Sequence, residues 1–230
     1  MTLLEAIKQR HSVRRYVHKP LSAEIVETLR KKIEECNAEG GLHIQLVTNE
    51  TRAFTGLFSY GKFSGVENYI VMVGKKADDL DERVGYYGEQ LVLLAQTLGL
   101  NTCWAGLSYR RVDEAYSVGD DEKLTCMIAL GYGATQGHKR KSKTAEQVSN
   151  ISSDSPEWFR NGVEAALLAP TAINQQKFSF TLLPNEQDTE DKPKVLAKRG
   201  FSMVGYTKMD IGIARLHFEI GAGTENFDWA

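Results

Sequence analysis

The sequence predicts an α+β chain made of two related halves, residues 1–146 and 154–230, on three observations. Short apolar runs of strand length alternate with longer amphipathic stretches of helical period. A polar, glycine-punctuated connector occupies the chain between Gly131 and Asp154. On either side of it the same succession of helix and strand recurs, at an offset of 133 or 134 residues.

The elements follow in order. Thr2 can open a first helix. After Pro20, Ser22 can cap a second, in which Ile25, Val26, Leu29 and Ile33 share one face before Gly40-Gly41 ends it. His43 to Val47 alternates like a half-buried strand, whereas Tyr69 to Val73 is a continuous apolar run suited to a strand covered on both faces. Tyr87, Leu91, Leu94, Ala95 and Leu98 recur at helical spacing up to Gly99. Cys126 to Leu130 reads as another central strand. Beyond the connector, Ser155-Pro156-Glu157 opens a helix ending near Pro170, as Ser22-Ala23-Glu24 opens the earlier one. Lys177 to Thr181 alternates as His43 to Val47 does, and Asp210 to Phe218 leads to Gly221 as the earlier helix leads to Gly99.

Composition is that of an ordinary enzyme: 230 residues, 42% hydrophobic and 25% charged, enough for one large core or two small ones. A formal net charge of −2 supplies no global positive field, so nucleic acid is not an expected partner and any anion site must be local. No membrane segment or signal pattern is evident, because Glu5, Lys8 and Arg10 interrupt the opening apolar residues. Cys36, Cys103 and Cys126 form neither a C-x-x-C pair nor an even set, which fits a reducing cytoplasm.

Two segments carry chemistry. Arg10-His11-Ser12-Val13-Arg14-Arg15-Tyr16 sets two arginines at i and i+4 with a serine between, so their cations can converge on a phosphate. About 160 residues later, Ala169-Pro170-Thr171-Ala172-Ile173-Asn174-Gln175-Gln176 offers backbone amides and carboxamides. Together they resemble the nitroreductase-like family of FMN enzymes, in which the second pattern reaches the flavin from the neighbouring subunit.

That resemblance implies a nitroreductase fold, with a central, mainly antiparallel sheet flanked by helices, and one chain supplying both sides of the flavin site. It assigns Arg10 and Arg14 to the FMN phosphate, and Ser12 and the backbone around His11 to phosphate or ribityl oxygens. The basic run His138 to Lys143 follows the Gly131-Tyr132-Gly133 strand end, where the family closes a cation over the phosphate; Lys141 is the expected ligand, with Lys143 second. Asn174 is assigned to the flavin or its ribityl, with Pro170, Thr171 and Ala172 against the ring and Gln176 matching the family's glutamine. Lys177-Phe178 departs from the family's Pro-Trp. Lys62, six residues before Asn68, is expected near flavin N1, and Trp104-Ala105-Gly106 in a loop near N5.

The implied function is two-electron transfer from NADH or NADPH through FMN to a small-molecule acceptor such as a nitroaromatic or a quinone. No catalytic side chain is expected, and the chain would be a monomeric pseudo-dimer or a weak homodimer. A flavin-storage protein and a flavin-consuming or dehalogenating member of the same fold remain as alternatives. Other chemistries fit poorly. Gly131-x-Gly133-x-x-x-Gly137 opens no helix and so is no dinucleotide fingerprint. Gly200 to Gly205 misses the nucleophile-elbow spacing by one residue, and no metal-ligand spacing occurs.

Overall fold

The computed structural model describes residues 1–55, 63–138, 140–184 and 192–230. Its elements in chain order are α1 (Leu3–Gln9), α2 (Ala23–Gly40), β1 (Gln45–Val47), β2 (Asn68–Lys75), α3 (Leu80–Thr97), β3 (Asn101–Ala105) and β4 (Glu122–Gly131). After the connector come α4 (Glu157–Leu167), β5 (Phe178–Leu182), β6 (Lys194–Arg199), α5 (Thr207–Ala222) and β7 (Asp228–Trp229).

The helix starts follow the expected chemistry. The Thr2 hydroxyl accepts from the Glu5 amide while the Glu5 carboxylate accepts from the Thr2 amide, a closed capping box, and Ser22 accepts from the Ile25 amide. α2 stops where Gly41 enters the left-handed region at φ 57°. Trp104 and Ala105 lie in a strand, β3, rather than in a loop, with Gly106 just past its end. The strands β6 and β7 carry weak local pattern and were not expected.

Four strands form an antiparallel sheet in the order β1-β2-β4-β3. Its alternation decides the layers: Ile70, Met72, Cys126 and Ile128 face the helical core, while Tyr69, Val71, Met127 and Ala129 face a second cluster with Phe54, Phe63 and Val112. β2 is therefore buried on both sides, as its unbroken apolar run requires. The second half has its own sheet, β5-β6-β7, in which β6 pairs antiparallel to β5 and parallel to β7. Phe159, Phe180 and Phe218 pack its face against α4 and α5, with Phe180 and Phe218 stacked at 4.7 Å.

The helices α3 and α5 join the halves through glycine. A methyl group on Gly85 would overlap the Met209 carbonyl and crowd the Ile213 amide; one on Gly212 would overlap the Glu82 carbonyl and crowd the Tyr86 amide. The contact is reciprocal, since residues 82 and 209, 85 and 212, and 86 and 213 are each separated by 127 positions. Arg215 to Glu82 at 2.7 Å and Tyr86 to Glu219 at 2.6 Å flank it.

Asp210, 3% exposed, fastens the start of α5 to the loop after α4 by accepting from the Ala172 amide at 2.9 Å and the Gln175 carboxamide at 2.6 Å. Burial pushes its carboxyl up to about 6 despite those two donors.

Two outcomes follow from this packing. Gly212→Ala should lower stability by about 3 kcal/mol, because backbone lies on both sides of the added methyl group. Gly41→Ala, where only the Arg83 guanidinium approaches, should cost about 1–2 kcal/mol from the positive φ alone. Equal losses in urea unfolding would contradict the tight crossing. Asp210 sets a pH dependence whose sign is fixed: the folded state holds its proton up to about pH 6, the unfolded chain only to about pH 4. Stability from this group is thus full below about pH 4, falls as the pH rises, and is lost above about pH 6. Against Asp210→Asn, the wild type should lose roughly 2–3 kcal/mol between pH 4 and pH 7, measured by urea unfolding across that range.

Candidate functional site

The site is a cleft between the halves, built from the strand-like segment after α1, the end of β3, the basic loop, the loop between α4 and β5, and the start of α5. The segment 10–16 is held against β3 by the Val13 amide donating to the Thr102 carbonyl at 3.0 Å, with Ser12 bridged to Thr102. It runs on to the Tyr16 amide donating to the Ser64 carbonyl. Its side chains therefore project in fixed directions without helical geometry.

The loop after α4 is strained. Ile173, Asn174 and Gln176 have φ of 46°, 59° and 44°, a region costly for side chains other than glycine and most of all for branched isoleucine. Its neighbours hold it there. The Gln176 amide donates to the Thr171 hydroxyl, and the Asn174 carboxamide donates to the Lys141 carbonyl at 2.7 Å. The Gln176 carboxamide accepts from the Lys143 amide and donates to Ser142 and the Leu167 carbonyl, while the Lys143 ammonium reaches the Gln176 carbonyl at 2.6 Å.

Two cavities meet in the cleft. One, about 290 Å³ and largely apolar, is framed by Trp104, Ala105 and Gly106, by Pro170, Thr171 and Ala172, and by Cys126, Tyr206, Met209 and Asp210. The other, about 510 Å³, is lined by Arg10, His11, Ser12, Arg14, His138, Arg140, Ser142 and Asn174. Ser12, Arg14, Pro170, Thr171 and Ile173 line both, so the two cavities adjoin. Arg10 is 6% exposed and its Nε has no hydrogen-bond partner. Arg140 donates to the Leu167 and Ala169 carbonyls, and burial together with the Arg10 cation lowers its guanidinium to about 10. The apolar end opens between Leu107, Ile173 and Val204, the first two 77% and 78% exposed.

The cleft thus brings together Arg10, His11, Ser12, Arg14, Trp104, Ala105, Gly106, Pro170, Thr171, Ala172 and Asn174. Lys141, Lys143 and Gln176 line neither cavity: Lys141 is exposed, and the other two hold the basic loop against the strained loop. Lys62 lies outside the described residues. Among the described lysines and arginines of the basic loop, Arg140 is the one lining the cavity; its planar fork, able to bind two carbonyls and still face an anion, is the signal favouring it over the lysines. Tyr206 and Asp210 were also missed, lying in a stretch whose spacing reads as an ordinary buried helix. Among the described residues no cluster of metal ligands occurs, and no helix is long and apolar enough to cross a membrane.

Solved structures share the fold. A putative nitroreductase from Thermotoga maritima superposes with a TM-score of 0.62 at 23% identity, covering 96% of this chain and 83% of that one. A putative nitroreductase solved in complex with FMN, from Desulfovibrio desulfuricans, gives 0.52 at 17% identity, with 68% of this chain matching 99% of that one. A putative NADH dehydrogenase/NAD(P)H nitroreductase from Parabacteroides distasonis gives 0.50 at 18%, with 66% matching 98%. No curated protein matches. A family model described as "Putative TM nitroreductase" matches residues 2–222, nearly the whole length, and the chain belongs to that nitroreductase family.

Proposed function

We propose that the chain is an FMN-dependent oxidoreductase passing two electrons from NADH or NADPH to a small-molecule acceptor. The observation carrying this reading is the joined cleft, cationic and polar at one end and apolar at the other, which suits a flat ring on a phosphorylated polar chain. The fit is supported by Arg10, Arg14 and Arg140, three guanidinium groups lining the same cavity, which a phosphate would neutralise. Bound FMN supplies the redox chemistry, accepting a hydride and returning two electrons. Arg10, Arg14 and Arg140 hold the phosphate end; Ser12 and Asn174 meet the polar chain. Pro170 to Ala172, Trp104 to Gly106 and Tyr206 enclose the ring and exclude water from it. The mouth at Leu107, Ile173 and Val204 admits donor and acceptor in turn and selects flat, apolar acceptors.

One flavin per chain belongs to the same proposal. The residues Tyr206, Met209, Asp210 and Ile213 of the ring cavity correspond, 127 positions earlier, to Asp79, Glu82, Arg83 and Tyr86, which line a second cleft on the other side of the α3–α5 crossing. In that cleft Arg83 donates to the Gly40 and Gly41 carbonyls after α2, as Asp210 accepts from the loop after α4, so the role is kept with opposite polarity. Arg215 paired with Glu82 occupies its floor. These features support a duplicated unit in which one of two former sites has been closed by charged side chains.

Two outcomes test the proposal. Arg14→Ala and Arg10→Ala should each weaken FMN binding by about 1.5–3 kcal/mol, read by fluorescence titration; unchanged affinity in both would refute the phosphate assignment. Titration should saturate at one FMN per chain in a monomer, and anaerobic NADH or NADPH should bleach it reversibly. Two flavins per chain, or flavin that stays oxidised with either donor, would overturn the stoichiometry or the reductase reading respectively.

A further inference from the structure

Glu89, in the middle of α3, has no solvent exposure. Its carboxylate lies between the two ends of the cleft. Oε2 accepts from the Trp104 indole N–H at 2.9 Å, and Trp104 frames the ring cavity. Oε1 is 2.9 Å from His217 Nε2 on α5 and 3.7 Å from Arg10 Nε, and Arg10 lines the phosphate-side cavity. The other nitrogen of His217, Nδ1, stands 3.1 Å from the Ala165 carbonyl on α4, which fixes the imidazole. Both carboxylate oxygens are thus tied, and the negative charge cannot turn away.

The distance to Arg10 is decisive. At 3.7 Å with no hydrogen bond, Glu89 offsets the charge of Arg10 without occupying its Nε donor. Arg140 lines the same cavity as Arg10, and burial, then the Arg10 cation, lowers its guanidinium while Glu89 raises it. Three guanidinium groups, that of Arg14 included, line this cavity, and Glu89, which also pairs with His217, is the carboxylate facing Arg10.

We propose that Glu89 is a resident counter-charge that stands in for the flavin phosphate: it keeps Arg10 beside Arg140 when that end is empty, and it sets how strongly the protein prefers FMN to riboflavin. The proposal rests on the FMN reading for its ligand, and on the buried charge cluster alone for its effect on stability. Glu89 is a positioning residue, touching no ligand itself.

The test compares wild type with Glu89→Gln, which keeps an oxygen for Trp104 and removes the charge. The ratio of riboflavin to FMN dissociation constants should rise roughly fivefold to thirtyfold in the variant, the order of gain expected when one nearby charge is deleted at an effective dielectric constant near 20. Flavin-free Glu89→Gln should melt below wild type, and inorganic phosphate should raise its melting temperature more than it raises that of wild type, with chloride at equal ionic strength as the control. Glu89→Asp, which retains the charge, should leave the ratio within about twofold of wild type. A purely structural tie would weaken both flavins equally and leave the Glu89→Gln ratio unchanged; a carboxylate that chiefly orients Arg10 would lower it. Either result overturns the proposal. If Glu89→Gln does not fold, wild type decides: no greater thermal shift with phosphate than with chloride overturns it. If neither flavin binds any form, the FMN reading fails, while the phosphate-dependent shift still reports on the counter-charge.

Discussion

The backbone contact between α3 and α5 is the constraint on which the rest of the molecule depends. Two helices can approach until carbonyl oxygens meet α-carbons only where both lack a side chain, and Gly85 and Gly212 provide this at matched positions. The crossing brings the carboxylate of Glu89 to His217 and the start of α5 to the end of β3. Widening it by one methyl group would separate the two walls of the cleft. A large apolar core surrounds the crossing, so the joint is rigid and not a hinge. Leu107, Ile173 and Val204 line the apolar end of the cleft, the first two largely exposed.

The cleft also shows how a strained loop is retained. Three residues at positive φ within four positions would relax in isolation, and the hydrogen bonds this loop donates to Asp210, the Lys141 carbonyl and Ser142 and accepts from Lys143 prevent it. The basic loop, which a count of charges would give to an anion, thus divides its work. Lys143 and the backbone of Lys141 brace the neighbouring loop, while Arg140 lines the cavity. Burial lowers both the Arg140 guanidinium and the Lys143 ammonium, and arginine suits the inward place because it starts from a much higher value and its planar fork can hold two carbonyls at once.

Much of this was legible in the sequence, for identifiable reasons. The buried strands β2 and β4 announce themselves as unbroken apolar runs, and α1 and α2 by their caps, because local pattern and tertiary burial agree there. The strands β6 and β7 did not, since β6 is a run of only three apolar residues between basic ones and β7 is two residues long. Both owe their existence to pairing partners rather than to propensity. The segments 10–14 and 170–174 could be read as a pair because each has its own residue signature. Glu89, Asp210 and Tyr206 could not, as a polar residue inside a helical repeat looks the same whether it meets water or a buried partner. Their roles appear only once the crossing brings them to other elements.

The back wall of the apolar cavity contains sulfur, in Cys126 and Met209, whose atoms lie 3.8 Å apart. Burial pushes the Cys126 thiol up to about 12. At neutral pH only about one molecule in 10⁵ then carries the thiolate, the form that peroxide attacks. Under the proposed flavin chemistry the cavity would meet hydrogen peroxide formed with oxygen, and a nucleophilic sulfur in its wall would be oxidised early. By keeping that cysteine protonated, the same dry packing that shapes the cavity also gives it resistance to chemical ageing.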